Sequence, residues 1–155
     1  MRFWWNMNDS FKASNAWYGL EVLDSQHRNI LERHDSIKLQ AEAGEYNEQF
    51  INKIWDLHEV LLDHFVHEEY ALKKLPVNKY GYYIDHHIKV HDHILSTIEQ
   101  VAGIISSKDV NAIISYLPDI VSMLLDSMMS DDNRLIEYLD DEGIKLQPSD
   151  VYPFE

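Results

Sequence analysis

The 155-residue chain is 45% apolar and 26% charged, which suits one globular domain with a proper core. It has no cysteine, so disulfides, iron–sulfur clusters and thiolate zinc sites are excluded. A net charge of −14 argues against a nucleic-acid or anionic-membrane partner.

The opening MRFWWNMNDSF is aromatic but holds no long apolar run, so it reads as neither signal peptide nor membrane span, and the chain reads as cytoplasmic. Residues 1–18 read as an irregular arm, with Phe3, Trp4, Trp5, Phe11 and Trp17 packing back on the body. A first helix is predicted from about Leu20 to Ala43, ending near Gly44, with the seam Leu20, Leu23, His27, Ile30, His34, Ile37, Ala41. A second runs from about Tyr46 to Leu75 and stops before Pro76; its seam is Ile54, Leu57, Leu61, His64, Glu68, Ala71, Leu75. A third runs from about Tyr82 to Ser106 with the seam Ile84, His87, His91, Ile94, Ile98, Val101, Ile105. These alternate steps of three and four, the pattern of a helix packed in a bundle. A fourth, less regular helix runs from about Asp109 to Asp140, with Ile113, Leu117, Ile120, Leu124, Met128, Leu135 and Leu139 facing in. Pro118 should kink it, because it removes a backbone donor and crowds the carbonyl of Ile114. The tail from Gly143, with Pro148 and Pro153, should extend over the surface.

Strand-like alternation and repeats are absent. The reading is therefore all-α: a single domain over 1–155 whose up-down-up-down four-helix bundle spans about 18–141. That topology brings the start of the first helix, the end of the second, the start of the third and the end of the fourth to one level. His27, His64, Glu68, His87, His91 and Asp132 then meet in one layer of an otherwise apolar core. His64 with Glu68, and His87 with His91, are four apart and share a helix face, so each pair is a two-toothed clamp.

A lone His-x3-His on a helix is usually solvated. Burying four imidazoles and two carboxylates together without partners, however, costs several kcal/mol per group, a cost that a coordinated metal removes. Mixed imidazole and carboxylate without sulfur suits non-haem iron, then manganese or zinc, and two bridging carboxylates from different helices suit a two-metal centre. The remaining histidines take plainer readings. His67, His86 and His93 lie off the seams and should face solvent. His34 and His58 lie at one level and read as a polar core pair, with a second metal site as the alternative. Met123, Met128 and Met129 read as core filler.

These residues resemble the hemerythrins, in particular the single-domain bacterial hemerythrin-like proteins. Gly19-Leu-Glu-Val-Leu-Asp24-Ser-Gln-His27 is similar to the family's first-ligand motif. His64-Phe65-Val-His-Glu68-Glu69 is similar to its His-Phe-x-x-Glu-Glu motif, and His87-Ile-Lys-Val-His91 to its His-x3-His pair. The fourth motif, an inward His followed five residues later by a bridging Asp, aligns with Ser127 to Asp132, so a serine stands where the family has a histidine. The resemblance spans about Trp17 to Leu139. It implies two non-haem iron ions: one held by His27 and His64, the other by His87 and His91, with Glu68, Asp132 and a solvent-derived oxygen as bridges. Ser127 would hold water or a small anion at the place of the missing ligand.

By the same resemblance the protein would bind O₂, or another small diatomic or anion, for storage or for O₂ or redox sensing. Sensing would need a partner protein. The competing expectations are a di-iron enzyme reducing O₂ or peroxide, and a degenerate bundle binding a single metal or none. No separate catalytic acid, base or nucleophile stands out, which favours binding over catalysis.

Overall fold

A computed structural model describes residues 17–107 and 117–152. Its helices are α1 (Glu21–Glu42), α2 (Glu48–Leu72), α3 (Val77–Ser106) and α4, described over Leu117–Asp141. A single 3₁₀ turn, Pro148–Asp150, follows. Among the described residues there is no strand, and no helix is long and apolar enough to cross a membrane. The expectations for Phe3, Trp4, Trp5 and Phe11, for the helix start with Ile113, and for Pro153 lie outside the described residues. So does the turn that Pro118 would disturb.

The helix ends follow from local chemistry. Gly44 holds φ +73°, a conformation costly for residues with a Cβ, and its N–H bonds the Ala41 carbonyl to close α1. Asn47 caps α2, its side-chain oxygen accepting from the Phe50 N–H. Pro76 stands just before α3, where its missing N–H costs nothing. The third helix therefore begins at Val77, one turn earlier than the expected Tyr82, and Tyr80 and Tyr83 join its buried face.

Links of a few residues, 43–47 and 73–76, force consecutive helices antiparallel. Cross-helix pairs agree. His27 meets His64 while Ser36 meets Lys53, and Glu68 meets His87 while His58 meets Glu99. Helix α4 packs on α1 and α3, which closes the four-helix bundle. Two apolar clusters fill it. One, toward the α1–α2 link, contains Ile37, Phe50, Ile54, Ile98 and Leu124. The other contains Leu23, Leu72, Leu75, Tyr83 and Leu135, together with Leu146 and Val151 of the tail. The tail is thus anchored rather than merely draped, with Val151 fully buried and Asp150 2.8 Å from Lys74.

Candidate metal centre

Between the two apolar clusters lies a polar layer. His27, His64, Glu68, His87 and Asp132 are 0% exposed and His91 is 1% exposed. Each stands on its helix's inward seam, so the periodicity that buries the leucines buries these groups too. All six expected ligands meet there.

They form two four-ligand groups: His27, His64, Glu68 and Asp132, and Glu68, His87, His91 and Asp132. Within each, the ligand atoms lie within 4.8 Å of one another. The two carboxylates belong to both. Glu68 turns Oε2 to His64 Nε2 at 3.1 Å, and Oε1 to His87 and His91 Nε2 at 2.5 and 3.0 Å. Asp132 turns Oδ2 to His27 Nε2 at 2.9 Å and Oδ1 toward His87 Nε2 at 3.6 Å. Each carboxylate therefore spans both histidine pairs. The Nε2 atoms of His27 and His64 are 3.1 Å apart. Two nitrogens bound to one ion at about 2.1 Å, at right angles, would be about 3 Å apart.

The outer nitrogens are held from behind. His64 Nδ1 donates to Gln26 Oε1 at 3.0 Å, and the Gln26 amide donates in turn to His67 Nδ1 at 2.7 Å. His91 Nδ1 donates to Glu69 at 3.0 Å. His87 Nδ1 lies 2.6 Å from Asp131 Oδ2 and 2.9 Å from the Tyr83 hydroxyl, which itself donates to the Asp131 carbonyl. A proton on Nδ1 leaves the Nε2 lone pair of a neutral ring pointing into the layer, the tautomer that a metal needs. His27 Nδ1 makes no hydrogen bond among the described residues; the rings of Trp17 and Tyr18 pack near that imidazole instead. The Tyr18 phenol donates to Glu68 Oε2 at 2.6 Å.

Without a cation, Nε2 lone pairs would face carboxylate oxygens, so the imidazoles must take up protons. Burial opposes a charge on His64, but Glu68 and Asp132 outweigh it and push the imidazole up to about 9. His87 is likewise pushed up to about 10 against its burial, by Glu68 and Asp131. Burial would raise Glu68, yet His64 and His87 hold it well below the usual carboxylate range. Asp132 Oδ1 is buried and has no hydrogen-bond partner among the described residues. An unpartnered carboxylate oxygen is costly to bury, and a metal ion is the partner this donor set fits. The residues present therefore fit one or two ions.

Ser127 is not part of the layer. It is exposed, and the buried residue beside it is Met128, one turn before Asp132 on the same face. Residues five apart on a helix differ by about 140° in direction, so Asp132 can face inward while Ser127 faces out. No serine stands ready at the place of a fifth histidine. Met128 instead lines an apolar cavity of about 30 Å³ beside the layer, together with Ile30, Leu61 and Ile94.

Other expectations need correction too. His34 and His58 do not pair with each other. His34 Nδ1 sits 3.4 Å from Asp35, and His58 bonds Glu99 at 3.0 Å. Met123 is 63% exposed, whereas Met128 and Met129 are core. His86 and His93 face solvent as expected, but half-buried His67 supports Gln26 and packs on Tyr152. Supporting roles for Gln26, Glu69, Tyr83 and Asp131 are not visible in the seams. The signal available was adjacency: three neighbour a ligand in sequence, and Tyr83 precedes His87 by one turn.

No family model, curated protein or solved structure matches the chain.

Proposed function

We propose that the chain is a non-haem di-iron protein of hemerythrin type that binds O₂ for storage or for O₂ or redox sensing in the cytoplasm. One observation carries this reading: Glu68 and Asp132 each offer one oxygen to either histidine pair, as bridges between two ions do. Iron suits four imidazoles and two carboxylates without sulfur. When bound, a reduced iron pair supplies the electrons that let a protein hold O₂.

The chain's own residues do the rest. Gln26, Glu69 and Asp131 hold three imidazoles by their outer nitrogens, and the Tyr18 phenol fixes Glu68. The layer is closed to solvent, and the adjoining cavity is apolar. Water finds too few partners in such a cavity, whereas a small apolar gas loses nothing there.

A second reading has its own support. Each ligand group has two histidines and the same two carboxylates, so both ions keep positions free for exogenous groups. This symmetry favours reduction of O₂ or peroxide over reversible binding. Metal content per chain and visible spectra of iron-loaded protein, with and without O₂, separate the readings. Two irons with an O₂-dependent band that disappears on degassing support storage or sensing. Two irons with irreversible oxidation favour the enzyme. One metal or none removes the di-iron reading.

A further inference from the structure

The six ligands are sealed, so an ion can arrive or leave only if a wall moves. The walls are unequal. Toward the α1–α2 link stand several layers of aliphatic side chains, Ile30, Leu61, Ile94 and Met128 first. A hydrated cation cannot cross these without losing its water to no compensating partner.

On the opposite side lies a cleft of about 280 Å³ between the end of α4, the turn at Gly143 and the tail. Ile136, Asp140, Ile144 and Lys145 line it, so its surface is polar as well as apolar. Leu139, Gly143 and Leu146 line it too, and so does Tyr18, whose hydroxyl bonds Glu68 Oε2 at 2.6 Å. Along this line the Tyr18 side chain lies between the cleft and a ligand atom of the layer. Ile136 is one turn beyond Asp132 on α4.

Tyr18 belongs to a short strap ahead of α1. The strap is attached to the helix by the Tyr18 N–H, which donates to Asp24 Oδ1 at 2.8 Å. Gly19 follows it with φ +71° and no neighbour within 4 Å of where a Cβ would stand. Swinging the phenol out breaks its hydrogen bond to Glu68 and its ring contact with His27, while the helix itself can stay in place.

We propose that the cleft bounded by Tyr18, Ile136 and Ile144 is the port through which divalent cations reach and leave the buried His/carboxylate layer, with the Tyr18 ring as its movable wall. This rests on the metal-binding reading above. Tyr18 is a positioning residue here: it neither ligates the ion nor reacts. Glu68, bonded to the phenol, is the first ligand an incoming ion meets.

A gate and a support differ in kinetics. Removing a gate speeds uptake and release by the same factor and leaves the dissociation constant alone. Removing a support for Glu68 speeds release only and weakens binding. The test measures Co²⁺ uptake by stopped-flow absorption and Co²⁺ release to excess chelator, on the full chain and three variants. Tyr18→Ala should speed uptake about tenfold, the worth of one lost hydrogen bond, and should speed release by at least as much, since Glu68 also loses the phenol that holds it. Ile144→Trp, which fills the cleft and leaves Tyr18 in place, should slow both. Leu62→Trp, on the exposed face of α2, controls for added bulk and should change neither. Faster release alone in Tyr18→Ala, or unchanged rates in Ile144→Trp, overturns the port. Absence of Co²⁺ uptake by the parent chain overturns the metal reading and the port with it, so the two failures are distinct.

Discussion

At the residue scale the layer is decided by which oxygen faces which nitrogen. Glu68 is fully buried and touches His64, His87 and His91 as well as Tyr18. Glu68→Gln keeps the shape but removes the charge and one bridging oxygen. If the proposed two-ion centre holds, the second ion should be lost, and metal analysis of the dialysed variant should find no more than one ion per chain. A variant still holding two ions would mean that Glu68 is not a bridge. Ser127→His offers the opposite check. An imidazole at an exposed position cannot reach Asp132, so metal affinity should match the parent, with stability within about 0.5 kcal/mol, the usual range for a surface substitution. Tighter metal binding in a titration of this variant would show that α4 is rotated from the orientation described above.

At the element scale, helix seams were legible because burial imposes one period on apolar and polar residues alike. His27, His64, Glu68, His87 and His91 sit on seams that the leucines and isoleucines had already defined, and they are buried where those seams put them. The fourth helix was less legible. Its seam is broken around Met128–Met129, and a spacing of five does not say which of two residues points inward. The start of α3 was missed for another reason. Pro-Val-Asn-Lys-Tyr-Gly looks like a turn, yet the proline opens a helix and the glycine sits inside it. Caps can be tested separately from the centre. Asn47 accepts from the Phe50 N–H at 3.0 Å and from the Gln40 amide at 3.2 Å. Asn47→Ala should cost about 1 kcal/mol. For a chain of this size that lowers Tm by roughly 2–4 °C. Metal content should stay as in the parent, since His64 lies about 25 Å along the same helix at 1.5 Å per residue.

At the scale of the whole molecule, a charged layer divides the core in two, and the fold must balance it with protons or with metal. In the metal-free chain the folded state holds His64 near 9 and His87 near 10, above the ordinary value of 6.5. A folded pKa raised above the unfolded one gives stability that is complete below about 6.5 and lost as pH rises through the folded values. Metal-free protein should therefore melt at progressively lower temperature from about pH 7 upward. Metal binding runs the other way, because an ion must displace the Nε2 protons and competes better as they become scarcer. Free ion at a thousand times its dissociation constant adds about 4 kcal/mol, roughly 8–16 °C in Tm for a chain of this length. The gap between loaded and chelator-treated protein should accordingly widen between about pH 7 and pH 9, which paired calorimetric scans at each pH would measure. A gap that stays constant over this range would mean that the imidazoles are already neutral in the metal-free fold. The layer would then be held by its hydrogen bonds to Gln26, Glu69 and Tyr83 rather than by charge.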